Sequence, residues 1–152
     1  VKNEVVLPYV SMHDSTRKMV EYFAGALIER GITVKQFKLS STDIGKLAIS
    51  LVDAATIVLG SPTVLTGAHP AAAYAAILAN ALRPKTKFAS IIGSYGWGGR
   101  MVEQLTGLLS NLKVEVIEPV IAKGCPADAD FIALDKLADQ ILARHKELGI
   151  AD

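Results

Sequence analysis

Short apolar runs alternate along this chain with segments of helical periodicity, and this alternation strongly limits the folds open to it. It is typical of repeated strand–helix units around a parallel sheet. Five apolar runs predict strands at residues 5–10, 32–38, 55–60, 87–93 and 114–122. The third and fourth runs are almost continuously apolar, as expected for central strands covered on both faces. The sequence therefore predicts a doubly wound α/β fold with a five-stranded parallel sheet and helices on both faces.

Five helical segments complete the predicted units. In the first, apolar residues share one face and Gly31 stands as a stop. That face consists of Met19, Val20, Phe23, Ala24, Leu27 and Ile28. The other helices are predicted at residues 42–52, after Pro70, at 101–112 and at 128–145. Pro119 fits a strand at the sheet edge, whereas Pro8 removes a backbone donor from a strand that is expected at the centre.

Composition limits the partners. The chain of 152 residues fits a single domain over residues 1–152. Sixteen Lys and Arg against 15 Asp and Glu leave a net charge of +1, so no basic field draws the chain onto nucleic acid or an anionic membrane. Cys125, the only cysteine, excludes an internal disulfide and indicates a reducing, cytoplasmic compartment. No apolar run approaches the roughly 18 residues of a membrane span.

Three loops hold the candidate site, because open parallel sheets bind ligands beyond the carboxyl ends of their strands. In the first loop, the hydroxyls of Ser11, Ser15 and Thr16 surround the start of the first helix. Free N–H groups and the helix dipole favour an anion there, such as a phosphate monoester. The alternative is a simple helix cap by Asp14 or Ser15. Neither glycine-rich fingerprint of dinucleotide and nucleoside triphosphate sites follows the first strand.

The other two loops, after the third and fourth strands, suit a flat heterocycle. Tyr95 and Trp97 alternate with glycines and offer a stacking face, unless they only seal the end of the sheet. The loop from Pro62 to Gly67 is a semi-rigid turn whose backbone can meet a ring edge. His69 is better explained as a helix cap or surface residue than as a ligand contact. Together the three loops describe a site for a phosphorylated planar heterocycle, and flavin mononucleotide (FMN) fits that description.

These residues belong to three motifs. They are Ser11-Met12-His13-Asp14-Ser15-Thr16-Arg17-Lys18-Met19, Gly60-Ser61-Pro62-Thr63 with Gly67 and His69-Pro70, and Gly93-Ser94-Tyr95-Gly96-Trp97-Gly98-Gly99. In them the chain resembles the flavodoxin-like domain of A-type flavoproteins, the flavodiiron family. The resemblance implies the sheet order 2-1-3-4-5, FMN as cofactor, and electron transfer to a diiron centre that reduces dioxygen or nitric oxide. The implied cofactor-binding residues are Ser11, Met12, His13, Asp14, Ser15 and Thr16 around the phosphate, Pro62, Thr63, Val64, Leu65, Thr66 and Gly67 at the ring, and Ser94, Tyr95, Gly96, Trp97 and Gly98 over it.

Two departures from the family pattern bear on binding. Asp14 stands where the family usually has glycine, and its carboxylate repels a phosphate dianion unless the side chain turns away to cap the helix. Leu65 and Thr66 stand where an Asn pair is common in the family. Ring contacts and redox potential are therefore expected to differ from the family's.

The resemblance also implies a role and partners. The histidines His13, His69 and His145 cannot supply the iron ligands of the family's other domain, so no metal site is expected and the chain alone should not reduce oxygen. We expect an FMN-dependent oxidoreductase domain for electron transfer, excised from a larger flavodiiron protein. Its expected partners are a diiron domain of the same or a partner chain and an electron donor such as rubredoxin or a reductase. A homodimer is left open.

Other functions stay open as well. A standalone flavodoxin-like carrier and an FMN-dependent quinone reductase would use the same cofactor. A scaffold that has lost FMN would fit the substitutions at Asp14, Leu65 and Thr66. A phosphorylation-controlled receiver shares the fold class, but it needs acidic residues where this chain has Ser11 and Gly60, so it is disfavoured.

Overall fold

The computed structural model describes residues 1–10, 14–41, 44–64, 67–82, 85–95, 101–109 and 114–151. Strands and helices alternate along these residues. The strands are β1 (Lys2–Tyr9), β2 (Thr33–Lys38), β3 (Ala54–Val64), β4 (Gly67–Ala68), β5 (Phe88–Tyr95), β6 (Glu115–Val116) and β7 (Val120–Lys123). The helices are α1 (Ser15–Glu29), α2 (Ile44–Leu51), α3 (Pro70–Leu82), α4 (Met101–Leu108) and α5 (Asp128–Glu147).

A parallel sheet organises these elements. Its order is β2-β1-β3-β5, and both β6 and β7 pair with the outer side of β5. Because β6 and β7 share the fifth position, the sheet has the 2-1-3-4-5 order of the flavodoxin-like fold, as predicted. The short strand β4 lies off this path and pairs antiparallel with the end of β3. The third and fourth predicted strands, β3 and β5, lie inside the sheet as expected.

Most strand bounds shift by a few residues from the prediction, as where β1 begins at Lys2 and β5 ends at Tyr95. The third and fifth strands differ in ways that have a clear physical reason. β3 continues to Val64 instead of ending at residue 60, because its last residues pair with β4. The fifth strand is divided, since Pro119 lies between β6 and β7 and has no N–H to donate. This break occurs at the sheet edge, which is where the sequence allowed a proline.

Pro8 lies in β1, between β2 and β3, and has a local cost. Backbone groups of alternate residues point to the same neighbouring strand. The N–H of Val10 donates to the Gly60 carbonyl of β3 at 2.9 Å, so the nitrogen of residue 8 also faces β3. The ladder between these strands accordingly passes from the pair Val6–Ile57 to the pair Tyr9–Gly60. The central strand therefore keeps its place and forgoes one hydrogen bond.

Two hydrophobic cores lie on opposite faces of the sheet. Successive residues of β1 alternate between them, with Val5 and Leu7 in the core under α1 and α5 and Val6 in the core under α2, α3 and α4. All five predicted helices are present, although residues 42–43 and 110–113 lie outside the described part. In that described part, no helix has the length and apolar character needed to cross a bilayer.

The buried face of α1 is narrower than predicted. Phe23 and Leu27, four residues apart, are fully buried, but Ile28 is 60% exposed. Each residue advances about 100° around an α-helix, so Ile28 lies beyond the arc that meets the sheet. The assignment of Ile28 to the apolar face was therefore wrong, while Ala26 is buried in its place.

A buried histidine near the end of α5 holds the amino ends of two strands. The Asn3 amide donates to the Gly31 carbonyl at 3.1 Å, so its oxygen is left to accept from Nδ1 of His145 at 2.8 Å. Nε2 of His145 then accepts from the Thr56 hydroxyl at 2.7 Å. The ring also stacks on Phe88, with centroids 6.0 Å apart. This network requires neutral imidazole, and burial lowers the pKa of His145 to about 4.

We expect this histidine to make folding stability depend on pH. Between the ordinary value of 6.5 and about 4, the unfolded chain binds a proton that the folded chain does not. Stability is therefore lost as pH falls through this window, by about 3 kcal/mol. The variant His145→Gln stays neutral throughout. The difference in unfolding free energy between wild type and variant, measured in urea at pH 7 and pH 4.5, should shrink at the lower pH. A constant difference would contradict the assignment.

Candidate functional site

The three predicted loops begin at the carboxyl edge of the sheet. They leave the ends of β1, β3 and β5, which are neighbours in the sheet. Several of the predicted site residues lie outside the described part of the chain, namely Ser11, Met12, His13, Leu65, Thr66, Gly96, Trp97 and Gly98. The structure places Thr63 and Val64 at the end of β3, Gly67 in β4 and Tyr95 at the end of β5. It describes Asp14, Ser15, Thr16, Pro62 and Ser94 in more detail.

Asp14 precedes α1 and has left-handed backbone, with φ of 62°. Glycine adopts this conformation most readily, while Asp tolerates it better than most residues. Among the described residues, its carboxylate makes no hydrogen bond that caps the helix, so the alternative in which Asp14 caps α1 is wrong. The carboxylate instead lies 3.4 Å from Nε of Arg17. The start of α1 is therefore not capped by Asp14, and a cation offsets the charge of the carboxylate.

The first turn of α1 brings the first and third loops together. Thr16 is 1% exposed and Ser94 is 8% exposed, and their hydroxyl oxygens lie 3.3 Å apart. Ser94 stands near the end of β5, immediately before the aromatic loop. The predicted phosphate segment and the strand end that leads into the predicted ring segment are therefore in contact. The geometry also gives Thr16 an internal partner, which its assignment to the phosphate did not anticipate.

Ser15 faces a residue that the sequence reasoning did not place at the site. Its hydroxyl points to the Cys125 sulfur at 3.9 Å, and Cys125 is exposed on the segment after β7. The ends of β5 and β7 are neighbours in the sheet. Cys125 was noted only for its solitary occurrence, and its position after the last apolar run was the one available signal.

The described residues of the middle loop form an antiparallel pair of strands. The end of β3 turns back and pairs antiparallel with β4, with Thr63 opposite Ala68 and Val64 opposite Gly67. We call the described residues 62–64 and 67–68 the β3–β4 hairpin. Ser61 stands at its base and is fully buried. Sequence reasoning did not assign Ser61 to the site, although it belongs to the Ser-Pro-Thr motif.

His69 ends this connection and caps α3. Its Nδ1 accepts the N–H of Ala71 at 3.0 Å, and its carbonyl accepts the N–H of Ala73 at 3.1 Å. The preferred interpretation of His69 as a helix cap is confirmed. Its ring nitrogen is engaged within the fold, so it has no free lone pair at that atom for a ligand.

Two strand glycines allow the close packing at this edge. A Cβ added at Gly93 would overlap the carbonyl oxygen of Ser61 and lie 2.9 Å from Cε of Met101. A Cβ added at Gly60 would lie 2.9 Å from Cβ of Tyr9. Real Cβ atoms do not approach this closely, so any larger residue would push the strands apart. The glycines of the motifs therefore set the separation of the strands that carry the three loops.

Two other kinds of site bear on function, a metal centre and a cavity away from the three loops. Within the described ranges, no group of three His, Cys, Asp or Glu side chains is placed to hold a metal ion. A separate cavity of about 320 Å³ lies between the β6–β7 connection and α5 and is lined by residues 118–121 and by α5. Of its described lining residues, none belongs to the three loops.

Comparison with known proteins gives several similar chains, although no protein-family model matches. A nitric oxide reductase of Moorella thermoacetica is 33% identical over 145 residues, which cover 94% of this chain and 36% of that protein. The structure of rubredoxin oxygen:oxidoreductase from Desulfovibrio gigas superposes with a TM-score of 0.89 at 31% identity, covering 99% of this chain and 38% of that one. An archaeal flavodoxin superposes with a TM-score of 0.80 at 21% identity, and the superposition covers 94% of this chain and 99% of the flavodoxin. The chain spans little more than a third of the length of the first two. No family-model match supplements them.

We expect Gly93→Ala to destabilise the fold by about 1–3 kcal/mol, the usual cost of overpacking, because its methyl group would overlap backbone of β3. Gly107→Ala is the matched control. Gly107 lies in α4 with nothing within 4 Å of an added Cβ, so the same substitution should be neutral or stabilise by up to about 1 kcal/mol. Urea unfolding of the two variants measures both effects. Equal effects at the two positions would refute the packing constraint.

Proposed function

Because the chain is a flavodoxin-like domain homologous to the C-terminal domain of flavodiiron proteins, we propose that it binds FMN at the carboxyl edge of the sheet. In this proposal it relays electrons to a diiron domain of the same or a partner chain that reduces dioxygen or nitric oxide. The observation that carries the proposal is the contact of Thr16 with Ser94. It unites the start of α1, which suits a phosphate, with the segment that leads into the aromatic loop.

The start of α1 fits the phosphate end of FMN. The N–H groups of a first helical turn and the helix dipole favour an anion. In the described structure, the Asp14 side chain does not cap this turn. Ser15, the first residue of α1, adds a hydroxyl to the same turn. Arg17 adds a positive charge 3.4 Å from the Asp14 carboxylate. Both side chains are largely exposed, so this ion pair is weak, but it reduces the repulsion that Asp14 would otherwise exert.

The hairpin and the aromatic loop would hold the ring. On the resemblance, residues 62–67 contact its edge and residues 94–98 cover its face, with Trp97 stacked. Bound FMN supplies the redox chemistry, and the protein binds, orients and shields it. The described residues of the site serve these purposes with hydroxyls and backbone groups, and they need not act as general acid or nucleophile.

A standalone electron carrier is the second candidate. The archaeal flavodoxin is matched over 99% of its length, so this fold also occurs as a whole protein. Such a carrier would bind FMN in the same site and would differ only in its acceptor. An FMN-dependent quinone reductase and a scaffold without FMN are outcomes that the following experiment separates from both.

The first experiment mixes the purified chain with FMN, removes free ligand and records visible absorption and Trp97 fluorescence. Retained flavin absorption with quenched fluorescence supports the proposal. The reduced protein is then offered a separately prepared diiron domain, and reoxidation that depends on this domain supports the relay. Rapid turnover of NADH with a quinone would instead support the reductase. A folded chain that retains no flavin would refute FMN binding.

Ser15→Ala should weaken FMN binding about tenfold, because the phosphate loses one charge-assisted hydrogen bond. Riboflavin has no phosphate, so its affinity should stay unchanged. Flavin fluorescence titration measures both dissociation constants. Ser41→Ala is the control, since Ser41 is exposed and its hydroxyl bonds only the nearby Lys38 carbonyl at 3.5 Å in the described structure. An equal loss for FMN and riboflavin would show that Ser15 does not act on the phosphate.

A further inference from the structure

We propose that Ser61 is a positioning residue that sets the β3–β4 hairpin against the flavin ring. The inference rests on the proposed FMN site and deepens it. Ser61 is not among the residues expected to touch the cofactor. It acts through the backbone of the hairpin, and its side chain is fully buried.

The Ser61 hydroxyl bonds both ends of the hairpin. It donates to the Pro62 carbonyl at 2.8 Å and accepts the backbone N–H of His69 at 3.1 Å. Pro62 is the first residue of the hairpin and His69 is the residue that follows it. One hydroxyl therefore holds together two backbone positions that are seven residues apart in the chain.

Both sides of this junction are anchored in rigid elements. On the sheet side, Ser61 pairs with Gly93 of β5. The Ser61 carbonyl lies so close to Gly93 that residue 93 has no room for a side chain. On the helix side, His69 caps the start of α3 through its Nδ1 and its carbonyl. The hydroxyl thus joins the sheet to the start of α3 across the base of the hairpin. Any displacement of the hairpin base must break at least one of these contacts.

A hairpin held in this way meets the ring in a preorganised position. Preorganisation lowers the entropy that a loop loses on binding and keeps its backbone groups at defined distances from the ligand. Without the hydroxyl, the His69 N–H loses a buried partner and the hairpin base loosens. Loss of the hydroxyl should weaken the contacts of the protein with the flavin ring. The contacts with the phosphate should stay unchanged, because the start of α1 makes them separately.

The test compares Ser61→Ala with Ser90→Ala. Ser90 is also fully buried, and its hydroxyl donates to the Ile117 carbonyl at 2.9 Å, toward the sheet edge and away from the hairpin. Both variants delete one hydroxyl that bonds backbone. The readouts are the dissociation constants of FMN and of riboflavin, the midpoint potential of bound FMN and the thermal unfolding temperature.

We expect Ser61→Ala to weaken the binding of FMN and of riboflavin by the same factor, about fivefold to tenfold. The midpoint potential of bound FMN should also shift. Ser90→Ala should lower the unfolding temperature and leave both flavin affinities and the potential unchanged. Ser61→Thr keeps the hydroxyl and should restore the potential toward the wild-type value. If Ser61→Ala does not fold, Ser61→Cys preserves the volume with weaker hydrogen bonds and carries the same comparison.

Several results would overturn the inference. An unchanged potential and unchanged affinities in Ser61→Ala would do so, as would an equal shift in Ser90→Ala. A loss of FMN affinity without loss of riboflavin affinity would place the effect at the phosphate. If the wild-type chain retains neither flavin, the proposed function itself fails and this inference fails with it, a result distinct from the other three.

Discussion

Backbone contact between β3 and β5 at Ser61 and Gly93 sets the geometry of the carboxyl edge of the sheet. Any side chain at Gly93 would meet the Ser61 carbonyl. The same approach places Ser94, the next residue of β5, within reach of Thr16. It also holds Ser61 where its hydroxyl can close the hairpin. The three loops therefore depend on a strand separation that only glycine permits.

The two ends of the sheet use buried polar groups in different ways. At the amino end, the His145 ring links the Thr56 hydroxyl to the Asn3 amide, which also bonds the Gly31 carbonyl. At the carboxyl end, Ser61 and Thr16 tie loops and helix starts to the strands. Among the described residues, every buried side-chain nitrogen and oxygen has a hydrogen-bond partner. At the amino end these bonds stabilise the fold, whereas at the carboxyl end they order the strand ends from which the three loops leave.

The start of α1 has an unusual backbone conformation. In the described structure Asp14 adopts a left-handed conformation without capping the helix. Residues that are locally unfavourable are often found at functional sites, where the surrounding structure stabilises them. In the proposed function, a bound phosphate would accept hydrogen bonds from N–H groups of this first turn. Asp14 is compatible with the proposed phosphate site because glycine also adopts its left-handed backbone readily and because its carboxylate pairs with Arg17.

Local patterns were enough to predict the strands, the helices and the loops that meet at the site. Each strand and helix buries a face whose period is visible in a few neighbouring residues, and the ends of parallel strands must gather at one edge. The cap by His69 was also predictable, because a residue before Pro70 at a helix start acts on its own turn. These features depend on short stretches of chain and their elementary geometry.

Contacts between distant residues could not be read in this way. The pairing of Thr16 with Ser94, the position of Cys125 beside Ser15 and the double role of Ser61 each join segments brought together only by the sheet. The exposure of Ile28 likewise depends on how far the sheet extends beneath α1. Periodicity and motif determine which segments form the site, because burial and backbone preference act locally. Tertiary structure decides which atoms meet there, since those distances follow from the packing of strands far apart in the chain.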